Sequence, residues 1–250
     1  MPILARNLLP LLDLTSLQEN DTEETITALC QKAVTPFGEV AAVCVYPRFI
    51  PLVRQKLLNS SVKIAAVSNF PYGDASLTSV LSEITQAIQA GADEIDVVMP
   101  YQAYLAGEHD YVKDFLVQCR SVCGPKICLK VILETGAFPN FDLIAAASRD
   151  VLTTGANFIK TSTGKIPMGA TPEAVKTILS IIHETPFKAG CKISGGVRTL
   201  AQAAIYWQLA QDIFGPHWPA RNTFRFGASR LLDEILHHLE QNTEHPLIKT

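Results

Sequence analysis

A regular alternation constrains this chain more than any single residue does. Short apolar runs at 8–13, 40–46, 63–69, 94–99, 127–133, 157–160, 187–193 and 223–226 each read as a strand. Several are apolar throughout, as expected of strands covered on both faces rather than one. Between and after them, residues 21–34, 47–58, 76–90, 108–122, 141–152, 171–183, 199–211 and 231–240 carry apolar side chains at helical spacing. Local punctuation agrees with this division. Thr171-Pro172-Glu173 is an N-cap followed by proline at the first helical position. Asp21 is a candidate cap for the first helix, and Gly91, Gly124-Pro125 and Gly155 mark helix ends. The eight units repeat every ~31 residues, the size of a strand–helix unit in a parallel α/β fold. Eight of them predict a single (β/α)8 TIM barrel spanning 1–250 as one domain. A doubly wound open sheet is the alternative, but it usually has fewer strands and an early glycine-rich loop. Here the glycine-rich turns come late.

A chain of 250 residues that is 48% hydrophobic can bury the core such a barrel needs. The formal charge is −3 and no basic block occurs, which argues against nucleic acid as a partner. No apolar run approaches the ~18 residues of a membrane helix, and the N-terminus lacks the pattern of a signal peptide. A cytoplasmic protein without membrane partners is expected. The triplets Asn20-Asp21-Thr22 and Asn59-Ser60-Ser61 fit a glycosylation site but carry no weight without secretion. Cys30, Cys44, Cys119, Cys123, Cys128 and Cys191 form no CxxC pair, and free thiols are expected rather than disulfides or a zinc site.

A TIM barrel builds its site at the C-terminal ends of its strands. Asp13, Thr15, Cys44, Asn69, Asp96, Lys130, Lys160 and Lys192 lie at or near those ends. Lys160 and Lys192 are one repeat apart, so adjacent strands bring them to one mouth. Two ammonium groups in a dry pocket disfavour each other's charge, which is expected to lower at least one pKa and leave a neutral amine. A neutral lysine attacks carbonyls and forms a Schiff base. Asp96 fits a proton relay or a brace for Lys192. Asp13 reads equally as a loop brace or a catalytic group. Lys130 is expected off the mouth-lining register, paired with Asp96 or Glu134. Cys44 reads as a core thiol more readily than a reactive one, although it stands near the substrate region. Three turns, Thr163-Gly164-Lys165, Gly195-Gly196-Val197-Arg198 and Gly227-Ala228-Ser229, follow the last three strands. Glycine backbone, Lys165, Arg198 and Ser229 there suit a phosphate. The histidines show no metal-ligand spacing, and no metal or cofactor is called for.

Motifs along nearly the whole chain now converge. Leu12-Asp13-Leu14-Thr15, Cys44-Val45-Tyr46-Pro47-Arg48-Phe49, Ala92-Asp93-Glu94-Ile95-Asp96-Val97-Val98 and Leu129-Lys130-Val131-Ile132-Leu133-Glu134-Thr135 cover the first half. Phe158-Ile159-Lys160-Thr161-Ser162-Thr163-Gly164, Lys192-Ile193-Ser194-Gly195-Gly196-Val197-Arg198 and Arg225-Phe226-Gly227-Ala228-Ser229 cover the second. Together they resemble the 2-deoxyribose-5-phosphate aldolases, class I enzymes of deoxyribonucleoside catabolism. The resemblance implies reversible cleavage of 2-deoxy-D-ribose 5-phosphate to D-glyceraldehyde 3-phosphate and acetaldehyde without a cofactor. It implies that Lys160 forms the Schiff base, that Lys192 perturbs it, and that Asp96 works with Lys192 and a water in proton transfer. It assigns Gly164, Lys165, Gly195, Gly196, Arg198, Gly227 and Ser229 to the phosphate, and Asp13 and Thr15 to the substrate's hydroxyl region. Thr163 belongs with the same turn. Dimers are common in that family, so a homodimer is expected by analogy alone. Some members use a terminal tyrosine in a proton step. This sequence ends in residues 245–250 without one, its last tyrosine being Tyr206. Arg230 stands where some members carry a small hydroxyl residue, and reads either as a charge near the phosphate or as helix surface. A Schiff-base lyase or transaldolase with a ketose donor is the competing enzyme reading. A non-catalytic phosphosugar-binding barrel is the competing binding one.

Overall fold

The computed structural model of the chain describes residues 2–243. Eight parallel strands close into a barrel, as the alternation requires. They are β1 (Leu12–Thr15), β2 (Ala42–Val45), β3 (Lys63–Ser68), β4 (Glu94–Val98), β5 (Cys128–Ile132), β6 (Phe158–Lys160), β7 (Gly190–Ser194) and β8 (Phe224–Ala228). Each pairs with the next, and β8 returns to β1. The helices are α1 (Pro2–Leu8), α2 (Glu23–Ala33), α3 (Ile50–Lys56), α4 (Leu77–Gln89), α5 (Tyr101–Leu105), α6 (His109–Cys123), α7 (Phe141–Thr153), α8 (Pro172–Glu184), α9 (Leu200–Phe214) and α10 (Leu231–Thr243).

The departures from expectation have local causes. The run 8–13 is not one strand. Leu9–Leu11 forms a 3-10 turn behind α1, and the ladder starts at Leu12, past Pro10, which has no N–H to donate to a neighbouring strand. Helix α2 is capped by Thr22, not Asp21. Thr22 and Thr25 exchange side-chain and backbone hydrogen bonds in a capping box, while Asp21 accepts from the Ser16 hydroxyl at 2.8 Å. An antiparallel ribbon, Val34–Thr35 with Gly38–Glu39, and the short helix α5 add to the repeat. Helix α8 is capped by Thr171 with a proline behind it, as expected. Residues 245–250, noted above for their lack of a tyrosine, lie outside the described residues.

Strand alternation divides the interior. Val43, Ile64, Ile95, Val97, Val131, Ile159, Ile193 and Phe226 belong to the large apolar core shared with the helices. The alternate positions face the barrel axis. In parallel pairing, residues in register share a face, and the register sets Asp96 beside Lys130, Lys160 beside Lys192, and Lys192 beside Arg225. On the opposite wall the interior is apolar, with Leu17, Ala42, Cys44, Ala65 and Val67 in a cluster of their own. The barrel interior is therefore charged along β1 and β4–β8 and apolar along β2 and β3.

Candidate active site

Charged side chains buried in a barrel must find partners, because each ion taken from water costs several kcal/mol. Asp96 provides most of the pairing. Its Oδ1 accepts from Lys130 Nζ at 2.8 Å, and its Oδ2 accepts from Lys160 Nζ at 2.9 Å and Lys192 Nζ at 2.7 Å. Asp13 Oδ2 lies 2.5 Å from Lys192 Nζ and 3.6 Å from Lys130 Nζ, and its Oδ1 accepts from Arg225 at 2.5 Å. Glu94 closes the network, 2.5 Å from Lys130 Nζ and 3.3 Å from Arg225. Four cationic groups thus meet three carboxylates, all buried.

Burial by itself would raise the Asp96 pKa, but Lys130, Lys160 and Lys192 outweigh it and hold the carboxyl well below its usual range. Asp13 is likewise raised by burial and then held low by Lys192, Arg225 and Lys130. Burial would lower Lys192, yet Asp13 and Asp96 overcome it and keep the ammonium above its ordinary pKa. Lys130 follows the same pattern through Asp96, Glu94 and Asp13. For Lys192 this reverses the expected depression between facing lysines. Its two carboxylate partners sit at direct ion-pair distance and decide the outcome.

Above the network opens a cavity of about 290 Å³. Of the three buried lysines, Lys160 lines it, with 3% of its side chain exposed, whereas Lys130 and Lys192 lie beneath with none. The rest of the wall is built by the loops after β1, β6, β7 and β8. Thr15, Leu17, Thr163, Gly164, Lys165, Gly195, Gly196, Arg198, Gly227, Ser229 and Arg230 contribute to it. The lining holds four cationic residues and no carboxylate, in a chain whose net charge is −3. Such a wall suits an anion. Glycine is needed at two places. Gly195 takes φ +87° against Gly169, where a Cβ would come 2.8 Å from the Gly169 Cα. At Gly227 a Cβ would stand 3.0 Å from Lys192 Cε and crowd the lysine.

The anion loops are braced from outside the cavity. Thr163 N–H donates to Glu134 Oε1 at 3.2 Å, its hydroxyl donates to Oε2, and Lys165 N–H donates to Thr163 Oγ1 at 3.0 Å. Lys165 Nζ donates to the Leu17 carbonyl at 2.5 Å, which ties the β6 loop across to the β1 loop. Gln202 Oε1, in the first turn of α9, accepts from the N–H groups of Arg198 at 2.8 Å and Thr199 at 3.2 Å.

Lys130 makes the expected pair with Asp96 and does not line the cavity, but its register and its other partners differ from expectation. It is on the inward register directly beside Asp96, fully buried, and pairs with Asp96, Glu94 and Asp13. Asp13 neither lines the cavity nor braces a loop; it is a buried counterion beneath the floor. Thr15 does line the cavity, its hydroxyl donating to the Asp13 carbonyl at 2.8 Å. Cys44 Sγ is 3.9 Å from Asp96 Oδ2, fully buried, and burial pushes its thiol pKa up. Asn69 is used in its own loop, donating to the Val98 carbonyl at 2.8 Å and accepting from Ala75 N–H at 3.0 Å. The sequence reading gave no role to Arg225 or Glu94, and it named Glu134 only as a partner for Lys130. Glu94 lies two residues before Asp96, and Arg225 two before Gly227, so strand alternation alone would have placed both inside.

Residues 8–233 match the profile of the DeoC/LacD family aldolases. Among solved structures, a candidate deoxyribose-phosphate aldolase from Toxoplasma gondii ME49 is similar with a TM-score of 0.88 at 27% identity, covering 96% of this chain and 95% of that one. A candidate deoxyribose-phosphate aldolase from Coccidioides immitis has a TM-score of 0.82 at 29% identity, over 92% and 86%. A protein called QR15, an aldolase, has a TM-score of 0.82 at 27% identity, over 96% and 99%.

Proposed function

Since the chain belongs to the DeoC/LacD family of aldolases, and is therefore a carbon–carbon lyase, we propose that it reversibly cleaves 2-deoxy-D-ribose 5-phosphate into D-glyceraldehyde 3-phosphate and acetaldehyde through a Schiff base on Lys160. The observation that carries this reading is the position of Lys160. It is the buried lysine that reaches both the ion network and an acid-free, cation-lined cavity. The structures similar to it that are named for deoxyribose-phosphate supply the choice of sugar.

The charge count explains how Lys160 becomes a nucleophile. Among the groups in direct ion-pair contact, four cations meet three carboxylates. Glu134, also buried, acts on Lys160 only from beyond ion-pair distance, and burial raises its own pKa. Lys192 and Lys130 are each held by more than one carboxylate, and the guanidinium of Arg225 does not deprotonate. Lys160 has only the Asp96 oxygen that it shares with Lys192. Loss of its proton leaves three cations against three carboxylates. The free amine adds to C1 of the sugar aldehyde, and loss of water gives the iminium. A base takes the proton of the C3 hydroxyl, C3 becomes the carbonyl carbon of glyceraldehyde 3-phosphate, and the electron pair of the C2–C3 bond moves into the iminium to give an enamine. Protonation at C2 and hydrolysis release acetaldehyde and restore Lys160. Asp96 Oδ2 touches both amines, so a proton can pass between Lys160 and Lys192 across it. The phosphate lies among Gly164, Lys165, Gly195, Gly196, Arg198, Gly227 and Ser229, and fixes the chain so that C1 meets Lys160.

Borohydride reduction in the presence of acetaldehyde tests this directly. The expected product is a reduced adduct located by peptide mass on Lys160 and missing from Lys160→Leu. An adduct on another residue, or none, overturns the assignment.

A further inference from the structure

Of the four cations that line the cavity, Arg230 is the one for which the reaction has so far found no use. It sits immediately before α10, next to Ser229 in the bend that follows β8, and it is exposed. A cation at the positive end of a helix dipole is unfavourable unless an anion joins it. Two acidic residues follow one turn later, Asp233 and Glu234. Asp233 is engaged by Lys32 at 3.0 Å, and among the described residues no carboxylate lies within ion-pair distance of Arg230. Arg230 and Arg198 both line the cavity, and both also line a shallow recess beside it, where Asp233, Glu234 and His237 join them. The two arginines therefore border the same two hollows, and the acids lie only in the outer one. Lys165, the other cation at this end, already donates to the Leu17 carbonyl.

A guanidinium is a planar fork that matches two oxygens of one phosphate. A phosphomonoester carries about −1.5 to −2 charges at neutral pH, its second ionisation falling near ~6. Lys165 and Arg198 alone balance such a group, and a third cation makes the site favour the dianion over the monoanion and over an uncharged sugar end. We infer that Arg230 is a specificity-determining residue of this chain, a second guanidinium beside Arg198 that selects substrates ending in a phosphomonoester dianion. The aldol step it serves rests on the function proposed above. Its anion preference rests only on the cavity.

The two are separable by experiment. Inorganic phosphate is titrated calorimetrically into the full chain and into Arg230→Ser and Arg230→Lys, at pH values below and above the second phosphate ionisation. Loss of one charge-assisted contact corresponds to about a tenfold weaker Kd for Arg230→Ser where the dianion dominates. A smaller change is expected at the lower pH, with most of the affinity kept in Arg230→Lys. In turnover, Arg230→Ser raises KM for 2-deoxyribose 5-phosphate while kcat changes little, and lowers the preference for the phosphorylated over the unphosphorylated sugar. Phosphate affinity that is unchanged in Arg230→Ser, or equally weakened at both pH values, overturns the inference. If the chain does not turn over the phosphorylated sugar, the reaction assignment falls and the phosphate titration still decides Arg230.

Discussion

Lys192 shows how a residue's neighbours change what its chemistry means. Beside a second lysine it reads as a source of repulsion. Between Asp13 at 2.5 Å and Asp96 at 2.7 Å it is a firmly held cation. Its effect on Lys160 then comes from the total charge of the network rather than from the pair. Lys192→Leu removes one cation and leaves three against three carboxylates in direct contact, so the network loses its excess positive charge. The expected outcome is a fall in kcat of ~10²-fold or more at neutral pH, with partial recovery as pH rises. A pH–rate profile measures it, and an unshifted profile in a folded, active variant would count against the charge argument. The same substitution takes one buried partner each from Asp13 and Asp96, and denaturant unfolding should show a loss of about 3–5 kcal/mol.

At the scale of elements, the anion loops owe their shape to helix starts and buried braces. Helix α9 begins on a capping box of Thr199 and Gln202, and the Gln202 side chain also takes the Arg198 N–H at 2.8 Å. The cap therefore orients the turn that carries Gly195, Gly196 and Arg198. Thr199→Ala should destabilise the chain by about 1 kcal/mol, the usual value of an N-cap. Its KM for the phosphorylated sugar should rise while borohydride trapping on Lys160 persists. Equal loss of trapping and of substrate affinity would mean that the cap supports the whole barrel mouth and not the turn alone. Glu134 plays the corresponding part for the β6 loop, gripping Thr163 by backbone and hydroxyl while itself held at φ +61°, a conformation uncommon outside glycine.

For the whole molecule, the buried network links stability to pH at both ends. Asp13 and Asp96 have folded pKa values below their unfolded ones. Their contribution is present above the ordinary aspartate pKa of about 3.9 and is lost as pH falls through the folded values. Lys130 and Lys192 are shifted upward. Their contribution is complete below the ordinary lysine pKa of about 10.4 and is lost as pH rises through the folded values. Thermal unfolding across pH should therefore give a plateau between these limits, falling at both ends. In the Lys192→Leu variant the alkaline fall should shrink. An alkaline limb of the same steepness in wild type and variant would show that Lys192 does not contribute to it.

The sequence by itself determined the barrel, because its repeat length and doubly apolar strands leave few other folds that bury both faces. It also marked the loops that form the cavity, since glycines and cations after the last three strands are local features. The cap at Thr22, the 3-10 turn before β1 and the added helices were harder to read, because adjacent polar residues and short apolar runs support more than one local structure. The pairs of Asp96 with Lys130 and Lys192 were legible in the sequence, but only the tertiary structure brought Asp13, Glu94 and Arg225 into the same network. Asp13, Glu94, Asp96, Lys130, Lys160, Lys192 and Arg225 are spread from one end of the chain to the other, and barrel closure brings Arg225 within hydrogen-bonding distance of Asp13. Parity along a strand says that a side chain points inward. Register across the closed sheet sets its depth and its partner, and that separated Lys160 at the cavity wall from Lys130 and Lys192 beneath it.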